Sequence, residues 1–451
     1  MLMDRLYYLR HGDNIDQEWL QCMDEGREVS GFKPLVDEIK SMDPNDPERE
    51  IKALELYEKM NAVSVASDFK YVEPSEIGQI KLARPQKAMN ALLGGTLSKE
   101  ELFDKVHGAW LGRCSGCLLG QPVEGWKRSR IRGLLEETGN VPLHYYVSND
   151  VDDKIKEKYA MNPNSSWINR IECAPIDDDL NYTIIGLKTL EKSGVNFTSN
   201  DIAETWLDSL PLFGLCTAER VAYRNLSNLI FPPMSAEYRN PYRELIGAQI
   251  RADIFGYVNP GHPESAADMA WRDAAVTHTK NGIYGEMFVA AMLAAAAVLN
   301  NTKDIVEAGL SQIPENCRLS EQINELLRWH EEGVSWEKVI ENVHERYRDD
   351  VEHDWVHVIP NAVLVCAGLL YGGLDYAKSM EITLLGGLDT DCNCATLGSI
   401  LGMVLGAKGL PSKWISPLND TLKSSVMDFE KVKISDLAKR TVEIVLGKEG
   451  V

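Results

Sequence analysis

The chain has 451 residues, with 47 Lys and Arg against 68 Asp and Glu, giving a formal net charge of −21. Its 44% hydrophobic and 25% charged residues are the composition of a globular protein, not a disordered one. So acidic a balance argues against broad phosphate-backbone binding and against docking on anionic lipid by charge alone, and neither nucleic acid nor membrane is expected as a partner.

The first residues, MLMDRLYYLRHGDNIDQEWL, carry charges throughout and lack the apolar run of a secretory signal. No stretch reaches the roughly 18 consecutive apolar residues of a membrane span. The nearest, Phe288 to Leu299, reads as a buried core helix. Nine cysteines, an odd count, favour reduced thiols and a cytoplasmic location over a disulfide framework.

Residues 1–97 are expected to form a helical extension, packed on the main domain or bridging copies of it as an oligomer. Within it, DPNDPE opens a helix that places Ile51, Leu54, Tyr57 and Val63 near one face. His11, in LRHGD, has no partner motif and reads as a surface histidine. The composition shifts at Gly94-Gly95-Thr96-Leu97, and residues 98–451 are expected to form one compact domain. Ser98 and Glu101 make a capping box for the helix that runs through LFDKVHGAWLGRCSGCLLG to Gly120-Gln121-Pro122. From about Arg128 to Pro175 the chain reads as loop-rich. After Asp177 helical patterns dominate, among them LNYTIIGLKTLEKSG, GEMFVAAMLAAAAVLN and ATLGSILGMVLGAKG. Alternating strands are not evident and no fixed period repeats, so the predicted fold is all-α.

Two acidic knots stand at helix starts. Asp177-Asp178-Asp179 precede LNYTIIGLKTLEKSG, where capping needs only one or two acids and three adjacent carboxylates repel. Asp389 and Asp391, two apart in a turn supported by Gly386 and Gly387, can converge on one ion. Oxygen donors select hard cations such as Mg²⁺, Mn²⁺ or Ca²⁺. Several carboxylates could hold two such ions roughly 3.5–4 Å apart, a template for activating water. Gly108, Gly112, Gly116 and Gly120 recur every four residues, as do Gly398, Gly402 and Gly406. Each mid-helix glycine costs about 0.5–1 kcal/mol, so such rows imply close backbone approach. The two helices are predicted to pack on each other or on a common helix, bringing the Gly120–Glu124 end to Asp389.

Taken in order, GAWLGRCSGCLLGQPVEGW, DDDLNYTIIGL, IGAQIRADIFG, THTKNG and GGLDTDCNCATLGSILGMVLGA resemble the ADP-ribosylglycohydrolase family over about Ser98 to Lys408. The resemblance implies a single all-α domain holding two Mg²⁺ ions, with Mn²⁺ as an alternative, that hydrolyses the bond between ADP-ribose and its acceptor. It places metal ligands at Asp177, Asp178, Asp179, Asp389 and Asp391, and catalytic roles at Glu124, Asp178 and Asp391. Gly247, Arg251 and Gly256 are implied in a diphosphate pocket, and Thr277, His278 and Asn281 near the adenosine end. Cys117 stands where the family has Asp, Asp177 and Cys392 where it has hydroxyl ligands, and Leu180 where it has Thr. These departures leave the acceptor and the ribosyl substrate open.

The CSGC run at Cys114–Cys117 and the CNC run at Cys392–Cys394 read as ordinary buried thiols. Arg220, Arg224, Arg239, Arg243, Arg251 and Arg272 form the one basic concentration, expected to pair with acids such as Glu219, Glu244 and Asp273, with Arg251 first to meet a diphosphate. The acidic run from Glu345 to Asp354 reads as a solvated face, and no metal role is expected of His353 and His357. Two other readings remain: a non-catalytic binding or structural protein that keeps the fold, and a metal-dependent phosphohydrolase, disfavoured by the lack of a conjugate histidine set.

Overall fold

The computed structural model describes residues 2–86 and 97–448. Most of the Gly94–Leu97 junction, where the sequence divides extension from main domain, lies outside the described residues. The fold is all-α. Among the described residues the only strands are Thr421–Lys423 and Lys431–Lys433, an antiparallel pair with Leu422 opposite Val432. No helix among them is long and apolar enough to cross a membrane. All nine cysteines are free thiols.

Two long helices fix the centre. Lys99–Gly120 begins at the predicted capping box: the Glu101 backbone N–H donates to Ser98 Oγ at 3.2 Å, and the Ser98 N–H donates to the Glu101 carboxylate at 2.9 Å. It runs antiparallel to Thr390–Leu405, and the glycine rows face each other as predicted. A Cβ on Gly108, Gly112, Gly116 or Gly120 would overlap the carbonyl of Gly402, Gly398, Cys394 or Thr390 respectively. Gly406 stands just beyond the second helix as its C-cap, with φ +72°. Where the two helices meet, Thr390 Oγ1 donates to the Gly120 carbonyl at 3.0 Å, so Glu124 is delivered to the Asp389 turn.

Lys280–Ala296, apolar on all sides, is buried from Asn281 to Ala296, as a helix without a polar face must be. In the extension, Pro47–Asn61 turns Ala53, Leu56, Tyr57 and Met60 inward. Ile51, expected on that face, is 52% exposed, because the inward stripe is set by the neighbouring Ile15–Asp24 and Lys33–Ser41 helices. His11 is not a free surface group: its ring lies edge-on to Tyr57 at 5.4 Å and its backbone N–H donates to Glu50 at 2.9 Å. The extension docks through buried ion pairs, Arg243 with Glu18 at 2.9 Å and Glu25 at 2.6 Å, and Arg318 with Glu73 at 2.8 Å.

Two further sequence readings are corrected. Arg128–Glu137, read as loop, is a helix that buries Ile131, Leu134 and Leu135 at i, i+3, i+4 spacing. The Glu345–Asp354 run is only partly solvated. Asp349 accepts from the Arg128 backbone N–H at 3.0 Å, and buried His353 and His357 converge on Asp24, at 2.8 and 3.6 Å. Asp24, His353 and His357 offer three atoms close enough to share an ion. However, the Ile359 N–H donates to His357 Nδ1 at 3.2 Å, which puts the neutral ring's proton on Nε2 and makes the trio a polar clasp between extension and body.

Candidate active site

Three chain segments bring carboxylates together. Asp177 is the N-cap of Asp178–Ser193: its side chain accepts from the Asp179 N–H at 3.0 Å and from Gln121 Nε2 at 2.6 Å. That cap orients Asp178 and Asp179 in a first turn, where the helix dipole favours negative charge. Asp179 is held from behind by Arg113, whose Nη2 donates to the Asp179 carbonyl at 2.8 Å and lies 3.6 Å from its carboxylate. The third segment is the turn before Thr390. Gly387 and Leu388 both have positive φ, +69° and +58°. A buried leucine in that region is strained and persists because the core fixes it. Asn361 Oδ1 then accepts from both the Asp389 N–H, at 3.2 Å, and Asn393 Nδ2, at 2.7 Å, which sets the direction of the motif.

The result is two triads. Single donor atoms of Glu124, Asp389 and Asp391 all lie within 4.8 Å of one another, and so do those of Cys117, Asp177 and Asp179. Asp179 Oδ1 and Asp391 Oδ1 are buried without a hydrogen-bond partner in the protein. Burial and the Asp391 charge push the Asp177 carboxyl up to about 7, and burial with Asp177 pushes Asp178 up to about 6. Asp391, then burial, and then Asp177 and Asp178 hold Glu124 well above the usual carboxylate range, although that side chain reaches solvent. Burial raises the Cys117 and Cys392 thiols far above their usual value, and the neighbouring aspartates raise them further, so both stay neutral. Cys117 is thus a thiol between two aspartates, and Cys392 lines the site.

Glu124, Asp178, Asp179, Asp389 and Asp391 face a cavity of about 120 Å³. Its remaining wall comes from Cys216, Glu219 and the 245–250 segment, and from Tyr8, Glu352 and Trp355. A larger cleft, about 860 Å³, lies apart from it between Phe197, Trp271 and residues 73–79, and contains none of these clustered carboxylates.

Of the residues expected to bind nucleotide, only Gly247 lines the cavity, with no room for a side chain against the Glu219 carboxylate. Arg251 is 1% exposed and fully engaged: it pairs with Asp273, donates to Glu219 at 2.7 Å and to the Gly247 carbonyl at 2.9 Å, and reaches Thr277 Oγ1 at 2.7 Å. Gly256 packs on Leu293 and Ala290 in the core. His278 is buried with its Nδ1 2.6 Å from Thr277 Oγ1, and Asn281 Oδ1 accepts from the Leu319 N–H at 3.1 Å. Within the arginine series Arg239, Arg243 and Arg251 pair with acids, whereas Arg220, Arg224 and Arg272 donate to backbone carbonyls, and Glu244, expected to pair with the series, pairs instead with Arg318. From sequence no site role falls to Arg113, Asn361 or Tyr8; Glu219 is named only as an ion-pair partner and Glu352 only within an acidic run. Arg113, a lone charge among apolar residues and glycines, carried a local signal; the others are placed only by tertiary contact.

The chain belongs to the ADP-ribosylglycohydrolase family, whose sequence model matches residues 98–448. Membership supports a glycosyl hydrolase activity on ADP-ribosyl-type substrates. Among solved structures, an ADP-ribosylglycohydrolase-related protein complex is similar at 17% identity, covering 77% of this chain and 99% of that chain, with a TM-score of 0.47. No curated protein matches.

Proposed function

We propose that the protein is a metal-dependent glycohydrolase that uses water to cleave the bond between C1′ of an ADP-ribosyl or related ribosyl group and its N- or O-linked acceptor. The observation that supports this reading most is the convergence of Glu124, Asp389 and Asp391 with Asp177, Asp178 and Asp179, acids that raise one another's proton affinity unless a cation balances them. Those five aspartates fit two hard divalent cations, Mg²⁺ or Mn²⁺, because their donors are oxygens, whereas the neutral Cys117 and Cys392 thiols are poor ligands for such ions. When bound, the cations would hold ribose hydroxyls and lower the pKa of a water. Glu124, at the rim and freed of its extra proton once the aspartates are neutralised, accepts the proton of the attacking water. The remaining carboxylates favour the positive charge that develops at C1′ in an oxocarbenium-like transition state.

Asp178→Ala and Asp391→Ala should each reduce Mg²⁺-dependent release of ADP-ribose or ribose at least about 100-fold, with helical content unchanged. Unchanged activity and unchanged Mg²⁺ affinity in both variants would refute the assignment. Tight ligand and Mg²⁺ binding without turnover in the parent protein would instead favour a binding protein that has kept the fold.

A further inference from the structure

The cavity is closed on one side by a segment far outside the family's matched residues. Tyr8 lies on its lining, carried by the short strap from Arg5 to Leu9. The strap is fastened at several points. Arg220 Nη1 donates to the Arg5 carbonyl at 2.8 Å, and Tyr7 Oη donates to Glu352 at 3.3 Å. Tyr8 sits edge-on to Tyr242 at 5.7 Å, with the Arg220 guanidinium 5.0 Å from its ring centre. Tyr8 and Leu9 also pack on the buried cluster of Val221, Tyr242 and Leu245, and Leu245 itself lines the cavity. Tyr8 is thus part of the wall.

Size and charge then bear on what fits. The cavity holds about 120 Å³, against the roughly 300–1,000 Å³ of sites that enclose drug-sized ligands. Among the described residues that line it, none has a cationic side chain, and two divalent cations would leave its acids in excess. A diphosphate held here would meet surplus acid with no charge-assisted donor, only backbone N–H groups. The arginine best placed in sequence to supply one, Arg251, is sealed behind Glu219 and Asp273.

We propose that the amino-terminal strap, through Tyr8, closes the site around a single ribosyl unit, so that the substrate is a neutral or cationic riboside lacking the diphosphate, and that Tyr8 is the residue that sets this limit. The proposal rests on the reading of the acidic site as a ribosyl hydrolase. Its reaction is the same hydrolysis: water's oxygen bonds to C1′, the bond from C1′ to the acceptor breaks, and the acceptor leaves with a proton.

The test is calorimetric titration of the full chain with ribose and with ADP-ribose in Mg²⁺. In the parent protein ADP-ribose should bind no more tightly than ribose. In Tyr8→Ala, ADP-ribose should tighten by about fivefold or more while ribose changes less than about twofold, and Tyr8→Phe should behave as the parent. ADP-ribose binding the parent more than about tenfold tighter than ribose, or an unchanged ratio in folded Tyr8→Ala, overturns the strap's role and leaves the hydrolase reading standing. Absence of Mg²⁺-dependent binding of either ligand overturns both.

Discussion

Between about pH 4 and about pH 7 the metal-free protein should lose stability, and Mg²⁺ should offset part of that loss. Asp177, 7% exposed, is pushed from 3.8 to about 7 by burial and the Asp391 charge, and Asp178 to about 6 by burial and Asp177. A carboxyl whose folded value exceeds its unfolded one holds its proton more tightly when folded. Its stabilising contribution is complete below the unfolded value and is lost as pH rises through the folded value. At about 1.4 kcal/mol per pH unit, the Asp177 change corresponds to about 4 kcal/mol once it is ionised. Because Asp177, Asp178, Asp179 and Asp391 titrate together, the folded cluster as a whole should hold one to two more protons than the unfolded chain in this window, a slope of about 1.4–2.7 kcal/mol per pH unit at its steepest. Asp24 and Glu25 do not obscure it. There burial is outweighed by His353 and by Arg243, which hold both carboxyls far below the window, so their contribution is lost only at lower pH. Urea unfolding at stepped pH, in EDTA and in Mg²⁺, reads the effect. Mg²⁺ at about 100 times its Kd adds about 2.7 kcal/mol, and the apparent Kd itself should fall as pH rises. Stability in EDTA that is flat across the window, or a Mg²⁺ increment equal at both ends, would refute the reasoning. Asp177→Asn should flatten the slope by about one proton.

Two substitutions test how the site is held. Gly112→Ala places a methyl on the Gly398 carbonyl, and since backbone cannot swing aside the helices must separate, at a cost of about 1–3 kcal/mol or more. Gly31→Ala, with nothing within 4 Å and no positive φ, should stay within about 0.5 kcal/mol, and equal losses in urea unfolding would count against the glycine contact. Arg113→Met leaves Asp253 buried without its 2.8 Å partner and removes the donor to the Asp179 carbonyl, so about 3–5 kcal/mol should be lost. A loss below about 1 kcal/mol would show that Arg113 does not anchor the triad of Cys117, Asp177 and Asp179.

What the sequence disclosed about this geometry follows from the range over which its signals act. Glycines at i, i+4, i+8 are a statement about one helix face, and two such rows have few ways to use the freed space other than on each other; their contact therefore carries Gly120 to Thr390 across a separation of 270 positions without any knowledge of the chain between. The aspartate knots were visible because each lies at a helix start, where direction is set by local capping. The arginines were harder, since a guanidinium in sequence declares its charge but not its partner. Arg251 is taken up by Glu219, thirty-two residues before it, and Asp273, twenty-two after, with Glu286 a third acid 3.9 Å away.

The same limit explains the histidines and the strap. His353 and His357 suggest one helical face by their spacing, yet the helix Glu352–Trp355 lasts a single turn and His357 caps the next one, Val358–Gly372. Their convergence on Asp24 is made by the docking of the extension, and the same docking brings Tyr7 to Glu352. Glu352 and His353 thus both take partners from the extension, one at the cavity and one behind it. A sequence pattern with a period of two to four residues cannot report an encounter across more than three hundred. The extension, which carries none of the clustered acids of the two triads, is therefore where the shape of this site departs from what the acids alone would specify.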